Sequence, residues 1–489
     1  MKKHLVALSA LLLAGSTWSQ QKKIDFIEYD LPNGLHVILH EEHSVPMTAV
    51  TIMYHVGSKN ERPDRTGFAH FFEHLLFEGS QNIKRGDYAQ IVEKRGGALN
   101  ANTSQDRTFY YELLPSNELE LGLWLESERL LHARVEKEGI ETQRSVVKEE
   151  KRQRVDNQPY GANLANLCSR VFKKHPYNWV PIGSMEHLDA AQEEDYVNFY
   201  KTFYVPANAV LSIAGDINIP QTKELIKKYF GSIPAGQGIN LYRDFLSLKE
   251  DEFKTKYGVE KSKFDQKNYF NSKNPEAVKL MQKYAAIKTE IPSPSAFEES
   301  LQKQEVDTIY DNIQLPAVFV GYKCPSQNDK DFPAFQILND VLSGSASSRM
   351  NKNIIEKKQI AVEAFAYGLP MEHQGLAMVA GIGVDGINLD TLLNALDSEI
   401  ALTQKELVTS DELQKVLNQY ENSVASSNTS VAQIAEDLAD NYMYRKNTNL
   451  VNQQLDAYLK VTREDILRVA KKYYTKDARV VLYYLPKAQ

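Results

Sequence analysis

The sequence predicts an α+β fold made of two homologous halves. Strand-like segments rich in β-branched and aromatic residues alternate with segments of helical periodicity between residues 24 and 234. A similar order of segments resumes at about residue 303 and continues to residue 489. With 42% hydrophobic and 25% charged residues, the chain has the composition of a globular protein and the length for several domains.

The two halves repeat the same order of elements. In the first half, a strand-like run at residues 49–54 leads through a polar loop to an apolar helix at residues 71–76. In the second half, residues 317–322 lead in the same way to residues 337–342. The helix and strand that close each half also match in order, so duplication is favoured over chance similarity.

This organisation divides the chain into four segments. Residues 1–19 are predicted to be a signal peptide, residues 24–234 the first domain and residues 303–489 the second. Residues 235–302 match neither domain, are rich in Lys, Asp, Asn and Tyr, and include a Pro-Ser-Pro-Ser stretch. We interpret them as a solvated linker or an insertion with some helix.

The N-terminus predicts export from the cell. Two lysines follow Met1, an apolar run begins at Leu5, and small and polar residues lead to a predicted cleavage near Ser19. The run is too short to span a bilayer, and no later stretch offers about 18 continuous apolar residues. We therefore expect a periplasmic or secreted protein without a membrane span.

Charge and cysteine content exclude some functions. The formal net charge is −7 and no long basic block occurs, so the sequence does not indicate a nucleic-acid or acidic-membrane partner. Cys168 and Cys324 are the two cysteines. They could form one disulfide in an oxidising compartment, but isolated cysteines are more often small buried hydrophobic residues.

Residues 70–74, with the sequence His-Phe-Phe-Glu-His, predict a metal site on a helix that begins after Thr66. With 3.6 residues per turn, His70, Glu73 and His74 share one face. Two imidazoles can then bind one ion while the carboxylate lies beside it. A core helix with two satisfied histidines is the alternative, but each buried polar group would need its own partner.

A catalytic zinc site usually has a third protein ligand. Glu149 and Glu150 are the candidates, in a predicted helix at residues 136–154. Ile140, Val146 and Val147 indicate the buried face of that helix, and Glu150 lies near this face, three residues after Val147. Helical position alone barely separates Glu150 from Glu149.

The His-Phe-Phe-Glu-His motif, followed downstream by Val-Val-Lys-Glu-Glu, resembles the pitrilysin or insulinase-like family of inverzincin zinc metallopeptidases, which includes the mitochondrial processing peptidases. The resemblance covers both halves and leaves the middle segment unmatched. Other matching motifs are residues 31–35, 57–58, 100–101 and 214–216. It implies two α+β domains forming a clam shell, with one zinc ion per chain on the inner wall of the first.

The resemblance also implies roles for single residues. Glu150 becomes the third zinc ligand, and Glu73 becomes the general base that activates the attacking water. The family commonly has a glutamate seven residues before the third ligand, where this chain has Gln143, an uncharged group able to hydrogen-bond a ligand. Asn100 and Ala101 resemble the strand that binds an extended peptide by adding it to a sheet edge.

The second half has lost the metal-binding residues. Gln336, Asn339 and Asp340 stand at the positions that correspond to His70, Glu73 and His74 by the repeat. These side chains do not reproduce a pair of imidazoles with a carboxylate, so we expect a second domain without metal ligands.

The resemblance further implies that an active second domain has an Arg and, seven residues later, a Tyr that bind the substrate. Ile355 and Val362 stand in those places, although Arg349 would compensate under a shifted alignment. We therefore expect the zinc-bearing subunit of a zinc endopeptidase that pairs with a homologous subunit supplying Arg and Tyr, or with itself. The alternative is a zinc-binding assembly or processing subunit with little activity of its own.

Overall fold

The computed structural model of the protein describes residues 23–295 and 298–487 and confirms the α+β fold. Each half contains one β-sheet covered by helices, and the halves form the predicted clam shell. The predicted signal peptide lies outside the described residues. Within those residues, no helix combines the length and the apolar character required to cross a membrane.

The first half is built on a six-stranded sheet. Its strands are β1 (Ile27–Asp30), β2 (His36–Glu41), β3 (Met47–Tyr54), β4 (Ala98–Thr103), β5 (Thr108–Pro115) and β6 (Ala209–Gly215). Their order in the sheet is β1-β2-β6-β3-β5-β4, with β2 and β6 parallel and the other neighbours antiparallel. Among the described strands β4 pairs with β5 alone, so β4 forms an edge of the sheet.

The described part of the first half contains eight α-helices. They are α1 (Phe68–Leu75), α2 (Asp87–Glu93), α3 (Leu119–His132), α4 (Lys137–Lys151), α5 (Asn163–Val171), α6 (Met185–Ala190), α7 (Glu193–Phe203) and α8 (Ile219–Phe230). Buried side chains of α1, α3, α4, α7 and α8 join those of the strands in one hydrophobic core. The predicted helix at residues 136–154 ends as a π-turn over Arg152–Asp156.

The segment at residues 235–302 is a packed helical insertion rather than a solvated linker. It contains α9 (Gly238–Ser247), α10 (Glu250–Tyr257) and α11 (Pro275–Ala286). Phe245, Phe253 and Tyr269 are buried and belong to the hydrophobic core of the first half. The sequence did not reveal this packing, because a few large aromatic residues supply most of the buried surface and stand among many lysines.

The second half repeats the topology of the first. It contains β7 (Glu305–Asp311), β8 (Ala317–Cys324), β9 (Ala361–Leu369), β10 (Gly375–Gly383), β11 (Arg479–Pro486), α12 (Phe332–Ser343), α13 (Leu389–Lys405), α14 (Ser410–Ser427), α15 (Val431–Arg445), α16 (Gln454–Leu459) and α17 (Arg463–Tyr473). The sheet order is β7-β11-β8-β10-β9, with β7 and β11 parallel. This order matches β2-β6-β3-β5-β4 strand for strand.

Each half contributes a helix to the sheet of the other half. Helix α5 packs on β8 and β11, while α15 packs on β3 and β6. Gly321 in β8 permits the first contact, because an added Cβ would lie 2.9 Å from both Leu167 and Val171 of α5. The exchange joins the halves through buried apolar surface.

Both cysteines are buried and free. Cys168 lies in α5 and Cys324 at the end of β8, and no disulfide joins them. Burial raises the pKa of the Cys168 thiol to about 12 and that of Cys324 still further. Both therefore act as small hydrophobic residues, the more common of the two alternatives for isolated cysteines.

Candidate metal centre

The metal-binding motif lies on α1, and the opposite face of this helix is buried. That buried face consists of Phe68, Phe71, Phe72 and Leu75. His70, Glu73 and His74 are partly exposed on the other face. Helix α1 begins after Gly67 rather than directly after Thr66, because Gly67 adopts a left-handed backbone conformation with φ 96°, which favours glycine.

Helix α4 packs beside α1 and selects one of the two candidate glutamates. Ile140 and Val147 are buried, whereas Val146 is 43% exposed, so its predicted burial is wrong. Val146 lies about 100° around the helix from Val147, which turns it toward solvent. The side chain of Glu150 is 14% exposed and that of Glu149 is 44% exposed.

The structure brings His70, His74 and Glu150 together. The two imidazole Nε2 atoms are 3.3 Å apart, and Glu150 Oε2 lies 3.4 Å from His70 Nε2 and 3.1 Å from His74 Nε2. A tetrahedral zinc ion with bonds of about 2.0–2.1 Å holds its ligand atoms about 3.3 Å apart. The spacing therefore fits one zinc ion. In the described part of the chain, no other group of three such residues could hold a metal.

Electrostatics favour the metal-binding protonation states of Glu150 and His74. The imidazole of His70 is the main reason that the pKa of Glu150 is lowered to about 2. Burial lowers the pKa of His74, which favours the neutral imidazole. Glu150 Oε1 pairs with Arg154 at 2.7 Å, which leaves Oε2 for the imidazoles.

Glu73 lies beside this group and has a different environment. Burial raises its pKa, while the Thr103 hydroxyl and the His70 imidazole act in the opposite direction. A raised pKa brings a carboxylate closer to the range in which it can accept and release a proton. Thr103 belongs to β4, the edge strand that α1 contacts.

Asn100 and Ala101 lie in the middle of β4. Asn100 is exposed, and its side-chain oxygen accepts a hydrogen bond from the Ala101 amide. Ala101 packs against the core of the first half. On the side away from β5, the described residues provide β4 with no strand partner, so this edge can pair with an extended peptide once the Ala101 amide leaves the Asn100 side chain.

Gln143 lies two turns before Glu150 on α4. Its amide nitrogen donates to Glu78, in the loop after α1, and its Oε1 is buried without a hydrogen-bond partner. Gln143 thus connects α4 to the chain that leaves α1.

Two residues that contact the ends of α1 were missed by sequence analysis. Glu61 accepts hydrogen bonds from backbone amides at the start of the helix, and Arg129 donates to a carbonyl just after its end. No local pattern signals these contacts, because Arg129 is distant from α1 in sequence and Glu61 precedes the helix by a loop.

The second half carries structural contacts where the first half has its candidate metal ligands. The Asn339 side chain accepts from the Tyr474 hydroxyl and donates to the Phe335 carbonyl. Asp340 accepts from the Tyr420 hydroxyl at 2.8 Å. These side chains are therefore occupied in packing α12 against its neighbours.

In the second half, the positions expected to contact substrate are either apolar or already part of an ion pair. Ile355 lies in a π-helical segment, and Val362 is 49% exposed at the start of β9. Arg349 makes a two-pronged ion pair with Glu412, with nitrogen–oxygen distances of 2.7 and 2.8 Å. Arg349 is thus held by α14.

Comparison with known proteins also separates a first half with the candidate metal centre from a second half without one. Residues 36–180, which include all the residues of the candidate metal centre, match the family described as insulinase, peptidase family M16. Residues 191–420 match the family described as the peptidase M16 inactive domain. The chain belongs to peptidase family M16. The resemblance found in the sequence is therefore confirmed.

Several M16 relatives extend over nearly the whole chain. The zinc protease PqqE of Helicobacter pylori is 26% identical over 488 residues, 99% of this chain and 98% of that protein. A probable mitochondrial-processing peptidase subunit beta of Arabidopsis thaliana is 24% identical, covering 92% of this chain and 76% of that protein. The crystal structure of a protease from Helicobacter pylori superimposes with a TM-score of 0.80 at 25% identity, covering 95% of this chain and 100% of that one.

Proposed function

We propose that this chain is a zinc endopeptidase that hydrolyses peptides or small unfolded chains. The proposal is carried by the convergence of His70 Nε2, His74 Nε2 and Glu150 Oε2 at the spacing of zinc ligands. The family membership and the relatives named zinc proteases support the same reaction class. Export to the periplasm or the medium belongs to this proposal and rests on the N-terminal sequence.

The residues of the site divide the work of peptide hydrolysis. Zinc bound by His70, His74 and Glu150 would polarise the scissile carbonyl and acidify a water molecule. Glu73 accepts the proton from the attacking water and returns it to the leaving amine, which its raised pKa favours.

The substrate is proposed to bind as an added strand along β4. Asn100 and Ala101 would pair through their backbone groups, which selects an extended conformation more than particular side chains. This mode suits peptides and unfolded segments, because a folded protein rarely offers a free extended strand.

A homologous partner subunit, or a second copy of the chain, completes the proposal. Ile355 and Val362 cannot donate hydrogen bonds through their side chains, and Arg349 is paired with Glu412. Substrate contacts from an Arg and a Tyr would then come from another chain.

Peptide hydrolysis by the purified mature chain tests the reaction. A quenched peptide library is incubated with the wild type, with the wild type plus a zinc chelator, and with Glu73→Gln. We expect cleavage that the chelator and the substitution both abolish. Zinc binding without cleavage, even with a co-purified homologous subunit, would instead favour the assembly or processing role. Full activity of the isolated monomer would remove the need for a partner.

A further inference from the structure

Helix α1 is too short to hold the metal ligands in place by itself. Its eight residues form about two turns, with a helix length of about 12 Å. Helices of this length are unstable in isolation, so contacts from elsewhere fix their ends. The directions of His70 and His74 therefore depend on what binds the first amides and the last carbonyls of α1.

A buried carboxylate binds the start of α1. Glu61 Oε2 accepts from the Gly67 amide at 2.9 Å and Oε1 accepts from the Ala69 amide at 2.8 Å. Gly67 has no side chain with which to cap the helix, so Glu61 supplies the cap from outside. Burial raises the pKa of Glu61 to about 8 against the effect of these amide bonds. The Ala69 amide directly precedes His70.

A buried guanidinium binds the other end. Arg129 donates from Nη1 to the Leu76 carbonyl at 2.8 Å, two residues after His74. The Arg129 side chain is fully buried and pairs with Glu126 at 3.0 Å. The aromatic rings that enclose its guanidinium, with centroids 4.2 to 4.6 Å away, are Phe77, Tyr88 and Tyr110.

We propose that Glu61 and Arg129 are positioning residues that set the geometry of the metal centre by fixing α1 from both ends. Glu61 binds the N-terminus through two amide hydrogen bonds, and the Arg129 guanidinium at the C-terminus has the charge that the helix dipole favours there. The two contacts lie one residue before His70 and two residues after His74, so a shift at either end moves a ligand directly. The inference rests on the proposed zinc site.

The chain offers matched controls for both residues. Glu298 also accepts from two backbone amides, those of Lys174 and His175, at 2.8 and 2.7 Å. Arg243 is also a buried arginine that donates to backbone carbonyls, those of Leu130 and Tyr204. Neither control contacts α1 through these bonds. Substituting them costs comparable hydrogen bonds without moving the metal ligands.

The experiment measures zinc affinity by competition with a chromophoric chelator, using the full mature chain. Glu61→Gln and Arg129→Lys are compared with Glu298→Gln and Arg243→Lys, with thermal unfolding recorded for each. Removing groups that orient metal ligands commonly weakens metal binding by about 10- to 100-fold, which we expect for the first pair. The control pair should stay within about twofold of the wild type, because neither residue binds an end of α1.

The outcomes separate this inference from the proposed function. A wild type that binds no zinc overturns the zinc site itself. A wild type that binds zinc, with folded Glu61→Gln binding it within about twofold as well, overturns the positioning role alone. Equal weakening in the control variants also overturns it, because the loss would then reflect general destabilisation. If Arg129→Lys does not fold, Glu61→Gln and Glu298→Gln decide the question.

Discussion

Replacing Glu150 with glutamine should remove most of the zinc affinity, whereas the same change at Glu149 should not. Glu150 Oε2 lies 3.1 and 3.4 Å from the two imidazole nitrogens, and its side chain is 14% exposed. Glu149 contacts Arg152 and Gln153 near the surface, with its side chain 44% exposed. The two variants remove the same charge one position apart on α4.

The size of the effect follows from the number of ligands. Zinc sites with four protein ligands are held by about 10–16 kcal/mol at neutral pH. Shared equally among four ligands, each supplies about 2.5–4 kcal/mol, which corresponds to a loss of about 60- to 700-fold in zinc affinity. For Glu149→Gln we expect a change of less than about threefold, because exposed ion pairs contribute about 0–1 kcal/mol.

Zinc affinity of both variants is measured by chelator competition, and circular dichroism checks that each is folded. The reasoning fails if folded Glu150→Gln retains zinc within tenfold of the wild type, or if Glu149→Gln loses as much affinity as Glu150→Gln. In either case the carboxylate between the imidazoles would not be a ligand. A thermal shift on adding zinc gives an independent measure, since a ligand that binds the folded state alone stabilises it.

Three further predictions concern catalysis, pH and packing. Glu73→Gln should keep zinc affinity within about twofold and lower kcat by at least about 100-fold, measured by peptide cleavage and chelator competition, because it removes the proton acceptor but no ligand. The loss of zinc affinity that protonation of His74 causes should begin below pH 6.5, the ordinary histidine pKa, because burial lowers the pKa of His74. Protons and zinc compete for the same imidazole lone pair, so affinity should fall progressively with pH, as chelator competition at stepped pH would measure. Gly321→Val should lower the free energy of unfolding by about 1–3 kcal/mol in urea titration, because the new side chain would overlap α5.

Each of these three predictions has a control variant or a result that would contradict it. Glu120→Gln, on the exposed surface of α3, should leave both kcat and zinc binding unchanged. Zinc release beginning well above pH 6.5 would contradict the effect of burial on His74. Gly386→Ala is the comparison for Gly321→Val. An added Cβ at Gly386 meets nothing within 4 Å, so this variant measures only the backbone strain of a side chain at a positive φ. A fully stable Gly321→Val protein would show that α5 can move away from β8.

The sequence by itself determined the α+β fold, the duplication and the grouping of His70, Glu73 and His74. These features depend on spacing within one helix or strand, where 3.6 residues per turn or strict alternation decides which side chains share a face. The family motif added Glu150, although spacing along α4 could not separate it from Glu149. The packing of α4 against α1 made that choice, by burying Val147 and exposing Val146.

Tertiary structure alone decided the contacts between distant elements. The exchange of α5 and α15 between the halves, the packed insertion at residues 235–302, and the contacts of Glu61 and Arg129 with α1 leave no periodic trace in the sequence. Periodicity shows that a face is buried but does not identify the surface that covers it. Which surface covers a buried face depends on how well the two shapes fit and on whether every buried polar group finds a hydrogen-bond partner. Both conditions are met only when the helices and sheets have packed together.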